Sequence, residues 1–155
     1  MQLTFSRALR IYPNDKYNIP FPNMVFTDTV YSLAPSGMFD PTKNFIQLGI
    51  QIGDTIFNAD YNDYSVITSV EENYLYFADD IFAGSGETYE IFQGVNTGCY
   101  IIPNADQSGI INLSVITAGG DSVFFFGLTP GVVLPVKILR VNASDSQVDK
   151  IIALW

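Results

Sequence analysis

From residue 42 onward the sequence runs as short apolar stretches, each cut by Gly, Asn, Asp or Pro. A chain punctuated this often leaves no room for a long amphipathic helix, and its texture is that of an all-β protein. Strands are expected near 48–52, 55–58, 64–70, 74–78, 88–93, 98–103, 110–117, 122–127, 132–141 and 148–154. A single helical turn is expected over about 41–47. There Asp40-Pro41 sets a capping acid before a proline at the first helical position, and Gly49 follows. The fold class that results is all-β: an antiparallel β-sandwich or barrel with an extended N-terminal arm and at most one short helix.

Local patterns sharpen this reading. Glu71-Glu72-Asn73 separates two β-rich runs and predicts a tight hairpin. Gly84-Ser85-Gly86 and Gly119-Gly120-Asp121 read as turns; neither carries the spacing of a phosphate-binding loop. Ile111-Asn112-Leu113-Ser114-Val115 alternates strictly, so one face packs inward. In Val132 to Val141 the alternation breaks, because Lys137 and Arg140 are three apart and a regular strand turns such a pair to opposite faces. A β-bulge near Ile138-Leu139 would put both charges outside and keep Val136, Ile138 and Val141 in the core.

Proline divides the chain. Five of the eight prolines stand at positions 13, 20, 22, 35 and 41, and the next is Pro103. Proline has no N–H to give a central ladder, so residues 1–41 read as an extended arm and residues 42–155 as a single β domain. The arm is apolar: Ile19, Phe21, Met24, Val25, Phe26, Val30, Tyr31 and Leu33 are costly to leave in water, at roughly 1.5–3 kcal/mol for each large side chain that would otherwise be buried. It must lie on its own domain or grip a neighbouring subunit.

Charge excludes several functions. The formal net charge is −9, and all seven Lys/Arg lie at the two ends, leaving residues 44–136 with eleven acids and no base. Affinity for nucleic acid comes largely from Lys/Arg displacing counterions, so no nucleic-acid partner is expected. The chain has no His and one Cys, which removes a Ser-His-Asp triad, a Cys-His pair and a closed Cys/His zinc site from a single copy. Cys99 reads as a small buried hydrophobe. No signal peptide is read in the first twenty residues. Val123-Phe124-Phe125-Phe126 and the other apolar stretches are too short for a spanning helix, so no membrane partner is expected.

Carboxylates are the remaining acid/base groups. Asp54, Asp60, Asp63, Asp79, Asp80, Glu87 and Glu90 are numerous enough for a glycosidase pair. Nearly all sit beside Gly, Asn or another acid in predicted turns, however, where Asp caps backbone N–H groups, and no catalytic residue is assigned. Asp60-Tyr61-Asn62-Asp63 gathers hard oxygen ligands but lacks the spacing of a calcium loop. No metal or cofactor is assigned. Tyrosines at 61, 64, 74, 76, 89 and 100 suit either a core with wet hydroxyls or an interface, including stacking on sugar rings. The apolar end, Ile151-Ile152-Ala153-Leu154-Trp155, should be tied into a sheet with Trp155 largely buried.

Three segments carry a resemblance. Ile11-Tyr12-Pro13-Asn14-Asp15 with Asn18-Ile19-Pro20-Phe21-Pro22-Asn23 resembles the N-terminal arm of small virion proteins of tailed bacteriophages. Residues 45–92, through Gly53-Asp54-Thr55-Ile56-Phe57-Asn58 and Gly86-Glu87-Thr88-Tyr89-Glu90-Ile91-Phe92, resemble a β-module of such proteins. Residues 117–155, with Thr117 to Asp121, Leu134-Pro135-Val136 and the apolar end, resemble the terminal module of capsid-decoration and head-spike-base proteins, departing from it over residues 142–148.

The resemblance implies a structural, non-enzymatic virion protein on the capsid exterior. Its partners would be the major capsid protein and its own copies, in a homo-oligomer, with a trimer as the guess. The residues expected at partner contacts are Ile19, Phe21, Met24, Phe26, Tyr31, Lys137, Arg140 and Trp155. The alternative is a head-fibre or tail-associated adaptor, or a module that binds host glycans.

Overall fold

The computed structural model describes residues 3–104, 109, 111–148 and 150–155. Among them the architecture is all-β, with thirteen strands in two antiparallel sheets and no helix. No helix is therefore long and apolar enough to cross a membrane. The chain forms two compact units. One joins the described residues up to Pro22 with Asn96–Trp155, and the other is Asn23–Val95.

The first unit holds a six-stranded sheet. Its strands are β1 (Ala8–Ile11), β9 (Cys99–Asn104), β10 (Ile111–Thr117), β11 (Ser122–Leu128), β12 (Leu134–Val141) and β13 (Lys150–Leu154), in the order β1-β13-β9-β12-β10-β11. Alternation places Ile101 of β9, Leu113 and Val115 of β10, Ile138 and Val141 of β12, and Ile151 and Ala153 of β13 on the inward face, in one cluster with Ile11 of β1. β12 carries the bulge its charges call for. Ile116 pairs with Arg140 but Thr117 pairs with Ile138, so Leu139 is the extra residue. Ile138 and Val141 are buried, Val136 packs against the cluster, and Lys137 stays exposed.

The second unit holds a seven-stranded sheet: β2 (Met24–Thr29), β3 (Ser32–Ala34), β4 (Gly37–Phe39), β5 (Thr55–Asn58), β6 (Asp63–Val70), β7 (Tyr74–Phe77) and β8 (Thr88–Phe92), in the order β2-β8-β5-β6-β7-β4-β3. β2 and β3 are at opposite ends of this order, yet only Val30 and Tyr31 separate them in sequence. Laid flat, the outer strands of seven would stand about 29 Å apart at the usual inter-strand spacing, and so short a connection spans only about 10 Å. The sheet is therefore rolled like a barrel. β6 makes the bend: Asp63 to Val66 pair with β5, and from Ile67 the strand pairs with β7 across a register shift. The interior is a second cluster around Phe45, Ile56, Ile67, Leu75, Tyr89 and Ile91.

The described residues of the expected arm, 3–41, do not form an extended arm. They contribute β1 to the first sheet and β2, β3 and β4 to the second. Their five prolines fall between strands, where no ladder calls on the missing N–H. The division expected at residue 41 is replaced by one at residues 22/23 and 95/96.

Residues 41–54 differ from expectation too. Neither the strand at 48–52 nor the helical turn at 41–47 forms; this stretch is a chain of turns. Asp40 does cap it, its Oδ1 accepting from the N–H and hydroxyl of Thr42 at 2.8 and 2.6 Å. Asn44 Oδ1 then takes the N–H of Gln47, and Gly49 turns the backbone left-handed at φ +77°, which ends that turn. The other expected strands are present within about two residues at either end, and Glu71-Glu72-Asn73 closes the β6–β7 hairpin. The expected strand starts at 110 and 148 run onto residues 110 and 149, which lie outside the described residues.

Candidate functional site

Two of the residues expected at partner contacts, Lys137 and Trp155, line one cleft of the first unit. β13 carries the chain end into the sheet between β1 and β9, as the apolar end predicts. The backbone N–H of Trp155 donates to the Arg7 carbonyl at 3.0 Å, and its carbonyl accepts from Ser6 at 2.7 Å. The indole is half-buried rather than largely buried. Its Nε1 donates to the buried Asn96 Oδ1 at 3.1 Å, which also accepts the N–H of Gly98 at 2.9 Å.

Gly98 sits at φ +118°, and a Cβ there would stand 2.8 Å from the Ala118 Cβ and 3.1 Å from the Lys137 Cβ. Only glycine lets the start of β9 lie this close to β12. The result is a cleft of about 330 Å³ with Lys137 on one wall and Phe5, Tyr100 and Trp155 among the aromatic lining. Phe5 and Tyr100 meet edge to face at 5.7 Å. Phe21 meets Trp155 edge-on at 6.3 Å, and the Arg7 guanidinium stands 5.6 Å over the Phe21 ring. In a chain of net charge −9 this cleft joins an ammonium to flat aromatic faces, a combination that suits an anionic or ring-shaped group.

The other residues named for partner contacts lie elsewhere. Ile19 is a correction: at 5 % exposure it belongs to the first unit's own core, its N–H donating to the Leu139 carbonyl, so it has no surface to give a partner. Arg140 is half-buried and bonds its own chain, Nε to Asn142 Oδ1 at 3.1 Å and a terminal nitrogen to the Lys16 carbonyl at 2.9 Å. Phe26 is half-buried against Tyr89, with ring centres 5.9 Å apart. Met24 and Tyr31 are exposed at 51 % and 56 %, in the second unit, along with Val25 and Leu33.

Several of the candidate carboxylates accept hydrogen bonds from their own chain. Asp54 Oδ2 accepts from the Gln51 N–H and from Gln93 Nε2. Asp60 Oδ2 takes the N–H of Thr88, and Glu87 takes the amide of Asn58 and the N–H of Ala83. Burial holds the Glu90 carboxyl above its ordinary range. Among the described residues no group of three or more acid, His or Cys side chains could hold a metal. Cys99 is buried; the apolar surroundings push its thiol up to about 12, and it donates to the Ile138 carbonyl at 3.4 Å.

One surface was not read from the sequence. β11 is an outer strand that exposes Phe124 at 39 % and Phe126 at 77 %, with ring centres 4.4 Å apart. The signal was Val123-Phe124-Phe125-Phe126 itself: four successive apolar residues on a strand cannot all face one core, so two of them must face out.

No family model, no curated protein and no solved structure matches the chain.

Proposed function

We propose that the chain is a structural subunit of a tailed-bacteriophage head, a decoration or cement protein that binds the outside of the assembled shell in many copies. The supporting observation is the set of apolar side chains held outward on paired backbone: Met24 and Val25 on β2, Tyr31 beside it and Leu33 on β3. Greasy groups on a floppy tail would collapse onto the body, whereas strands in a ladder keep them presented. Presented this way on a repeating lattice of the major capsid protein, modest contacts become tight through multivalency, and binding only the assembled shell stabilises it by mass action. The resemblance of residues 11–23, 45–92 and 117–155 to such proteins points the same way.

The test is to mix the purified protein with undecorated heads. Saturable binding at micromolar protein with a rise in the heat or chelator resistance of the heads supports the reading. A well-folded protein that leaves the heads bare and equally fragile ends it. The cleft lined by Phe5, Tyr100, Trp155 and Lys137 favours a second reading, an adaptor that stacks host glycan rings. Binding on a glycan array that is lost in Tyr100→Ala would support this, and silence across the array would count against it.

A further inference from the structure

We propose that β11 is a self-association edge, at which two copies of the chain pair antiparallel about a two-fold axis through Phe124. The inference stands apart from the virion reading and rests on hydrogen-bond parity. The N–H of Thr117 donates to the Asp121 carbonyl at 2.9 Å, which makes 117/121 a hydrogen-bonded pair. The register Val115↔Val123 and Leu113↔Phe125 continues that pair in steps of two. In an antiparallel ladder the residues between such pairs turn their N–H and C=O the other way, so Ser122 and Phe124 aim theirs away from β10. No strand among the described residues lies there.

The other outer strands are blunted in the usual ways, and β11 is not over Ser122 to Phe125. β1 carries Arg10, β2 carries Asp28 and a register shift, and β3 is three residues long. β11 reads Ser122-Val123-Phe124-Phe125-Phe126-Gly127-Leu128, with no charge and no proline. Its one irregularity lies beyond Phe125, where the pairing with β10 shifts and Gly127 takes φ 64°.

Self-pairing accounts for these features together. With Phe124 opposite Phe124 of the second copy, Ser122 falls opposite Phe126, so outward groups meet outward groups in one register. Isologous contacts of this kind close on themselves and stop at a dimer. Side chains follow the same rule. Phe124 and Phe126 of both copies share one outer face, and their cross-strand contact covers the exposed rings. The chain's strong negative charge disfavours most copy-to-copy contacts, yet here the nearest acid, Asp121, is opposite Gly127 of the other copy. The two Asp121 carboxylates would be about 20 Å apart along the strands, beyond the Debye length at physiological salt.

Cysteine cross-linking of the full chain tests the register. In the proposed pair the two Phe124 Cα atoms are about 5.5 Å apart, inside disulfide range, while the two Ser122 positions are about 14 Å apart, outside it. Phe124→Cys should form a disulfide dimer under mild oxidation, Ser122→Cys alone should not, and Ser122→Cys mixed with Phe126→Cys should give a mixed dimer. Buried Cys99 leaves the wild type uncross-linked as the control. Sedimentation of the wild type should show a monomer–dimer equilibrium, and Phe124→Lys, which changes an exposed side chain, should raise its dissociation constant about tenfold or more. Equal cross-linking by Phe124→Cys and Ser122→Cys overturns the proposal. So does a wild type that stays monomeric up to its solubility limit, or an oligomer indifferent to Phe124→Lys.

Discussion

Trp155 Nε1 donates to Asn96 Oδ1 at 3.1 Å, tying the chain's last side chain to the residue that opens its unit's second segment. The same oxygen accepts the N–H of Gly98, so one amide fixes both the indole and the start of β9. Asn96→Ala removes the acceptor for both donors. Leaving buried donors unsatisfied costs about 1–3 kcal/mol, and a loss of that size is expected in urea unfolding. Trp155 is the only tryptophan, so its fluorescence reports the site directly: a red-shifted emission maximum in the folded variant is expected, and an unchanged spectrum would show the bond to be idle.

Asn58 is fully buried at the end of β5 and uses both ends of its amide. Its Nδ2 donates to the Ile81 carbonyl and to Glu87 Oε2, each at 2.7 Å, and its Oδ1 accepts from Asp60 N–H at 2.9 Å. Asn58→Ala strips partners from the 81–87 and 59–61 segments at once and should destabilise by roughly 2–4 kcal/mol, read as a lower midpoint with an unchanged slope in denaturant. Asn58→Asp should also destabilise, because it sets a carboxylate against the Ile81 carbonyl and the Glu87 carboxylate.

The Tyr89 hydroxyl is the reverse case. Its ring is fully buried between Phe26 and Phe82, and the hydroxyl has no hydrogen-bond partner among the described residues. Burial raises its pKa far above the ordinary phenol value. Since an unpartnered buried hydroxyl is a standing cost, Tyr89→Phe should be neutral or stabilising by up to about 1 kcal/mol. A thermal melt decides it: a clearly lower midpoint for the variant would mean that the hydroxyl is satisfied in solution.

These residues show how far the sequence could be read. Strand parity made the bulge at Leu139 and the β6–β7 hairpin legible, because local alternation and turn residues carry that information. The fate of residues 1–41 was not legible. The prolines of this stretch stand outside its strands, but nothing local shows that four short strands fit between them, and their partners lie in β7, β8 and β13, far along the chain. Lys137 and Trp155 are expected at partner contacts on separate grounds, one a sheet-face charge and the other a largely buried chain end. Their meeting in one cleft depends on Gly98 allowing β9 to approach β12, a long-range packing relation that no local pattern encodes.

Cys99 should behave as an inert thiol. With its pKa pushed up to about 12 by burial, almost none is thiolate at neutral pH, and it is the thiolate that reacts. Native protein at pH 8 should resist a disulfide reagent for as long as it stays folded, and denatured protein should react at once. Reaction of the native form at the rate of a free thiol would mean that the β9–β12 pairing opens readily.

The acid limb of stability depends on Asp28 and Asp15. Hydrogen bonding from Lys43, 2.8 Å away, and then from the Thr29 N–H holds Asp28 below 3.8, and Asp28 in turn holds Lys43 above 10.5. Asp15 is lowered mainly by its hydrogen bonds from Ser144. A carboxyl whose pKa is lower in the folded state stabilises fully above its unfolded value and loses that contribution as pH falls through the folded one. The lysine does the converse, contributing fully below 10.5 and losing it as pH rises through its folded value. Glu90 has the opposite sign to the aspartates: its pKa is raised by burial, so its charge opposes folding at neutral pH and the penalty lifts on acidification. Asp28→Asn should therefore flatten the fall in thermal midpoint below about pH 4 and lower the neutral plateau slightly, because a solvent-facing pair is screened. Glu90→Gln should raise the plateau and leave the acid end nearly unchanged. Parallel melting curves for both variants and the wild type across the whole pH range would show that neither group titrates differently in the folded chain.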